Sequence, residues 1–343
     1  MRMKILPMTK PIVETYHYDS YPLSIMKAYG DDYLKWVLSN YIQINAFKDI
    51  LKRQDVFLEF YGPQGFTAAF LNTQLVLWSV FTQLNIDIND YIMKHIDQNY
   101  YLYFQVDEFF IHNRRAYQKQ HYIHDLLVYG YDEEKQIYNV VGYNNDFIYI
   151  ESTITFEEFK QAFLNNNIDK DKNYWADRIF MFQYKKNSKY EFNLDLVKHL
   201  LKEYLNSENS YERYNRFDNP TKEKVYGIEV YNKVLEHLDY AKHDIKCFKH
   251  LPEGHLDNRL FRLIMEHKQL MAMRLEYINK NIVDISDLVK EYGDVVKISH
   301  NSILLSIKYE ITQNKKTLDH LIEDVKMIQE QDCKLLNQLL SKI

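Results

Sequence analysis

The stretch HYIHDLLVYGYDEEKQIYNVVGYNN, residues 121–145, decides how this chain is read. Its two halves, HYIHDLLVYGYD (121–132) and QIYNVVGYN (136–144), have the β-branched and aromatic density of strands. DEEK between them is a hairpin signal. His124 stands where the first strand turns strongly apolar, so its ring is presented at a sheet end, where sites are often built. The plainer reading is that His121 and His124 flank a strand and bond to backbone.

Working outward, YYLYFQVDEFFI (100–111), DFIYIES (146–152) and RIFMFQYKK (178–186) also read as strands, as do WVLSNYIQINAF (36–47) and VFLEFYG (56–62). SYPLSIMKAYG (20–30) reads as a short helix, with Asp19 or Ser20 placed to cap it and Pro22 in its first turn. DINDYIMKHID (87–97) carries Ile88, Ile92 and Ile96 on one helical face. In TFEEFKQAFLNN (155–166), Thr155 followed three residues later by Glu158 is a capping box.

After about residue 190 strand-like alternation gives way to helical periodicity. Helices are expected over about 193–206, 222–249, 257–281, 284–292 and 300–343, with the polar segment 206–223 as a linker. The last helix carries an apolar stripe, Leu304, Ile307, Ile311, Leu318, Leu321, Val325, Ile328, Leu335 and Leu339. That stripe fits packing within the domain, and a homodimer seam through the C-terminal helices is the alternative. The predicted fold class is α+β in residues 1–190, followed by an all-α domain in 191–343.

Composition removes several functions. Hydrophobic residues at 46% and charged residues at 27% describe a soluble globular chain, and 343 residues suffice for two cores. The net charge of −5 lacks the basic footprint of a nucleic-acid binder. With only 8 glycines, about a third of the usual share, neither GxGxxG nor GxxxxGK[ST] occurs, so nucleotide fingerprints are absent. No run of about 18 apolar residues predicts a membrane helix, and the N-terminal MRMKILPMTKPIVET lacks a signal-peptide core. The two cysteines, Cys247 and Cys333, suit reduced thiols rather than a disulfide framework. The expectation is a cytoplasmic protein without a cofactor.

The order VDEFFI (106–111), His124 with LLVYGYD, a hairpin, a second strand and TFEEFKQAF (155–163) resembles papain-like peptidases that cut double-glycine leaders. It resembles most the butirosin biosynthesis protein H-like family. The resemblance covers about residues 8–185 and implies a papain-like fold. It also implies an acyl or aminoacyl transferase that moves a group from an acyl or peptidyl carrier protein thioester to a small-molecule amine in bacterial natural-product biosynthesis. The family places a nucleophilic cysteine at the start of its first helix, where the helix N-terminus and a histidine lower the thiol pKa to about 3.5–7.5. Here the counterpart of Asp-Cys is Asp19-Ser20, and Ser24 is a second hydroxyl one turn on. The implied catalytic set is Ser20, His124 and an orienting Asn144, Asn145 or Asp146, with Asn144 taken as the candidate. The strand register puts Val141 or Gly142 nearest the orienting position. Asp19, Tyr21 and Tyr143 are the implied substrate contacts. A serine hydroxyl is not ionised at neutral pH and depends on a well-oriented base.

Three readings of Ser20 stand side by side. It is a nucleophile in a Ser/His/Asn arrangement, or a replacement of cysteine that traps a substrate. In the third, the fold positions a carrier-bound intermediate without covalent chemistry, as a degenerate enzyme or scaffold would. A peptidase is the weaker enzyme reading. A second cluster, His237, His243, Cys247, His250 and His255, contains zinc-type ligands. However, LPEGH breaks the helix after it, and surface histidines around one buried cysteine is the preferred reading, with no metal expected. The carboxylate pairs Asp107-Glu108, Asp132-Glu133-Glu134 and Glu157-Glu158 read as turn or helix-start charges.

Overall fold

The computed structural model describes residues 2–61, 67–166, 177–210, 223–248 and 251–343. Its elements run β1 (Met3–Ile5), α1 (His17–Ala28), α2 (Tyr33–Asn40), β2 (Ile44–Phe47), α3 (Ile50–Arg53), β3 (Glu59–Phe60), β4 (Leu71–Leu77), α4 (Trp78–Leu84), α5 (Ile88–Asp97) and β5 (Tyr100–Asp107). They continue with β6 (Ile123–Asp132), β7 (Ile137–Tyr143), β8 (Tyr149–Thr155), α6 (Phe156–Leu164), β9 (Arg178–Tyr184), α7 (Leu194–Leu205), β10 (Lys224–Tyr226), α8 (Val230–Lys242), α9 (Asn258–Asn281), α10 (Ser286–Thr312) and α11 (Lys315–Lys342). Two units result: residues 1–33 with 64–190, and residues 34–63 with 191–343. No helix among the described residues is long and apolar enough to cross a membrane.

In the first unit an antiparallel sheet has the order β4-β9-β5-β6-β7-β8, with β1 also paired to β6. The β6–β7 hairpin closes as the alternating pattern requires. Asp132 Oδ1 accepts from the amides of Glu134 and Lys135, and Gln136 takes the left-handed conformation (φ 55°) that completes the turn. The register shifts between Val128 and Gly130. There β1 approaches so closely that a Cβ on Gly130 would lie 3.0 Å from the Ile5 Cα and the Lys4 carbonyl oxygen. Only glycine admits that third strand without displacing it.

Burial in β6 is continuous from Leu126 to Asp132, as in a strand covered on both faces. Alternation along β5 shows the covers. Phe104 meets Phe159 and Phe163 of α6, while Tyr103 meets Tyr21 of α1 edge to face, at 5.1 Å between centroids. The capping box of α6 is complete: Thr155 Oγ1 accepts from the Glu158 amide, and the Glu158 carboxylate accepts from the Thr155 amide.

Helix α1 departs from its sequence reading. It begins at His17, its N-cap is Tyr16 with no side-chain cap, and Pro22 sits sixth in the helix rather than in its first turn. Asp19 and Ser20 are therefore helical residues, both buried, and do not cap. The strand expected from residue 36 also differs: Tyr33–Asn40 is helical, and the strand starts at Ile44. Strand β4 and helix α4 had no counterpart in the pattern.

The second unit packs α7 to α11 with the small sheet β10-β2-β3. Residues 34–63 belong here because α9 holds the end of α2. Arg274 donates from Nε and Nη2 to the carbonyls of Leu38 and Tyr41, and His267 Nε2 donates to that of Ile42. The expected 284–292 and 300–343 helices are instead α10 and α11, split at a left-handed Gln313. On α11, Leu318, Leu321, Val325, Ile328, Leu335 and Leu339 are buried, whereas Leu304, Ile307 and Ile311 of α10 are exposed. The stripe is thus two faces, and only the α11 part is core. Most of the linker expected over 206–223 lies outside the described residues.

Candidate functional site

The start of α1 meets the head of β6. Pairing of β5 with β6 sets Val106 opposite His124 and Gln105 opposite Asp125, and the chain leaving β5 brings Glu108 back beside His124. His124 Nδ1 lies 3.2 Å from Glu108 Oε1. One residue earlier, buried Asp107 holds the loop through the Tyr122 amide and through His121 Nδ1 at 2.6 Å. His121, although beside the site in sequence, therefore serves as a tether.

His17, the first residue of α1, fills the place opposite His124. Its ring is stacked on Tyr21 (4.7 Å) and Tyr143 (4.9 Å) and meets His124 at 5.1 Å. His17 Nδ1 lies 3.5 Å from Asp125 Oδ2, and Asp125 Oδ1 accepts from Tyr103 Oη and Gln105 Nε2, each at 2.7 Å. His17 Nε2 is buried with no hydrogen-bond partner among the described residues. Donor atoms of His17, His124 and Asp125 all lie within 4.8 Å of one another.

Electrostatics divides the two imidazoles. Burial lowers the His17 pKa to about 4, against the pull of Asp125, so the ring is neutral at physiological pH. Burial also opposes the charged form of His124, but the Glu108 hydrogen bond and the Asp125 and Glu108 charges outweigh it, and its pKa is raised. Burial likewise opposes the Asp125 carboxylate, yet His17, His124 and Tyr103 together hold its pKa below the usual value. The His124 side chain is 30% exposed, which makes it the solvent side of the group.

Arg114 completes the surroundings. It is 2% exposed, and Nη1 donates to the Tyr143 carbonyl, while Nε and Nη2 have no hydrogen-bond partner among the described residues. Its guanidinium lies against Gly142, where a Cβ would come within 2.8 Å of Nη2. Burial pushes its pKa down against the attraction of Tyr21 and Glu108.

Of the residues singled out from the sequence, His124 is central to this group. Ser20 is not joined to it: it lies one turn into α1, fully buried, and its Oγ has no hydrogen-bond partner among the described residues, while the neighbouring Tyr149 hydroxyl lies 3.0 Å from Ser24 Oγ. Asn144 Oδ1 accepts from the amides of Asp146 and Ile148, closing the β7–β8 turn, and does not orient His124. Near the orienting position, the Val141 carbonyl accepts from Tyr21 Oη, and Gly142 faces Arg114. Tyr21 Oη is taken up by the Asp125 and Val141 carbonyls, and Tyr143 Oη by that of Glu14. These two tyrosines present ring faces, to His17, rather than free hydroxyls. Asp19 is buried.

His17, Asp125, Glu108 and Arg114 were not reached from the sequence as site residues. Glu108 had a signal: it sits beside the residue pair that any antiparallel pairing of 100–107 with 123–132 places near His124. In the second cluster, His237 Nδ1 lies 2.9 Å from Cys247 Sγ, His243 bonds to the Asp239 carbonyl, and His255 pairs with Glu310. These partners do not converge, and His250 lies outside the described residues. Burial raises the Cys247 thiol pKa to about 11, which keeps it protonated.

What the first unit presents is a histidine–carboxylate centre, two imidazoles each with its own carboxylate, at the N-terminal end of the central strand β6. No protein-family model matches the chain, and no curated protein matches it.

Proposed function

We propose that the first unit is a papain-like domain that binds an acyl or aminoacyl group presented on a carrier-protein thioester and positions it for an amine, with no covalent step on Ser20. The observation that carries this reading is that His17, and not Ser20, faces His124. What supports the reading is that α1 meets the strand that bears His124, with Tyr21 Oη donating to the Asp125 carbonyl and the His17 ring against that of His124. A nucleophile must lie within about 2.6–3.2 Å of its base, and Ser20 Oγ has no hydrogen-bond partner among the described residues, His124 included.

A second reading is favoured by Glu108, which orients His124. In it the chain is a transferase without an acyl-enzyme. His124 takes the proton of the amine as its nitrogen attacks the thioester carbonyl, and the C–S bond breaks as the proton passes to the leaving thiolate. His124 would then act as general base and general acid in turn.

The test is mass spectrometry of the chain after incubation with acyl-loaded carrier protein. No adduct is expected on the wild-type chain or on Ser20→Cys, while acyl-loaded carrier binds both alike and binds His124→Ala more weakly. A His124-dependent adduct on Ser20 or on Ser20→Cys overturns the non-covalent reading. Amide product on adding an amine selects transfer over positioning alone.

A further inference from the structure

The geometry points to a binding site for a divalent first-row transition metal ion formed by His17, His124 and Asp125. Two imidazoles and a carboxylate are ligands that zinc, iron, cobalt and nickel accept. A tetrahedral ion with bonds of about 2 Å spaces its donors by about 3.3 Å, so donors within 4.8 Å of one another close on it through small side-chain rotations.

Second contacts fix two of the three ligands. Glu108 holds Nδ1 of His124, which orients the ring and raises its basicity, as carboxylates do behind metal-bound histidines. Tyr103 and Gln105 hold Oδ1 of Asp125 and leave Oδ2 on the His17 side. His17 contributes a buried imidazole whose Nε2 has no hydrogen-bond partner among the described residues, a state that costs free energy and that a metal bond to that nitrogen relieves.

Charge is compatible. Asp125 and Glu108 contribute two negative charges, Arg114 one positive and the ion two, leaving one positive charge for an exogenous anion to neutralise. Three protein ligands leave the remaining positions open, as in catalytic rather than structural sites. The partly exposed His124 marks the side from which an ion and its further ligand enter.

The experiment uses the untagged full chain, stripped with a chelator, gel-filtered and titrated with Zn²⁺ alone, with bound metal measured by elemental mass spectrometry. One equivalent is expected. His124→Ala and Asp125→Asn should each weaken binding at least 10-fold, and Glu108→Gln, a near-isosteric change that removes the orienting charge, about 10-fold. Cys247→Ser should bind as wild type, and Co²⁺ should give ligand-field absorption without a thiolate charge-transfer band. Substoichiometric binding, equal affinity in Glu108→Gln and wild type, or loss of binding in Cys247→Ser overturns the site. Failure here leaves the carrier-binding reading standing, since that reading is scored by adducts and carrier affinity.

Discussion

His17 and His124 meet at 5.1 Å between ring centroids, with their planes inclined by 63°. The position on the first helix that faces the strand histidine thus carries a second imidazole, and the hydroxyl expected there lies one turn deeper, beside Tyr149. A helix begun three residues earlier than its composition suggests is sufficient to cause this. Three residues are nearly one turn of 3.6, so Ser20 moves from the helix mouth to the interior while His17 takes its place.

The burial of Ser20 is directly testable. In a Cys333→Ser background, the Ser20→Cys variant should react with a small maleimide only as fast as the chain unfolds, because position 20 is fully buried. Cys247, also buried, supplies an internal comparison within the same molecule. Labelling of the introduced thiol in the native state, faster than that of Cys247, would place position 20 in an open cleft and reverse the assignment.

Gly142 should resist even alanine. A methyl there would sit 2.8 Å from Nη2 and 3.1 Å from Nη1 of Arg114, whose guanidinium is buried and bonded to the Tyr143 carbonyl. Gly142→Ala is expected to cost about 1–3 kcal/mol as an overpacking change. In the Arg114→Met background the same change should cost much less, which denaturant titrations of the four species would measure. Equal costs in both backgrounds would show that the guanidinium does not fill that space.

The sheet was legible because its signals are local. The 121–145 hairpin, the Thr155 capping box and the Ile88/Ile92/Ile96 face each depend on neighbours within a few residues. The centre was legible only at His124. Its partners come from three separated segments: His17 through helix phase, Glu108 through strand register, and Arg114 from a loop with no pattern of its own. Helix α1 misled because Asp19 and Ser20 are favoured cap residues, whereas Tyr16, a poor one, stands at the cap. Residues 36–40 read as a strand because Trp36, Val37 and Leu38 are apolar in an unbroken run. The Leu38 carbonyl of the helix there, and the Tyr41 and Ile42 carbonyls just past its end, are bound by Arg274 and His267, more than 220 residues away, and no local rule reports such a partner.

In the second unit, Lys268 and Asp332 form a fully buried ion pair, and Asp332 also accepts from the hydroxyls of Tyr204 and Tyr292. Lys268→Met leaves that carboxylate uncompensated and should cost about 3–5 kcal/mol. The double variant Lys268→Met/Asp332→Leu should recover most of this loss, because burying two apolar side chains removes both desolvation penalties. Denaturant unfolding of the two variants decides the matter. A single-variant cost under about 1 kcal/mol would mean that the tyrosine hydroxyls alone satisfy Asp332.

Acid should weaken the second unit through His237. Burial holds its pKa at about 4, against Asp257, compared with about 6.5 in an unfolded chain. Between these values the unfolded state binds a proton that the folded state refuses, so stability falls as pH drops from about 6.5 to about 4 and is fully present above that window. A shift of this size corresponds to about 3 kcal/mol for a fully buried group. His267, whose pKa burial also lowers, beside Lys268 and Arg274, adds a loss of the same sign. Since carboxylates contribute their own slope in this range, the variant His237→Gln is the measure. Its unfolding free energy should depend less on pH across that window than that of the wild-type chain, whatever its absolute stability at neutral pH. Parallel profiles for the two proteins would show that His237 takes up its proton in the folded state as readily as in the unfolded one.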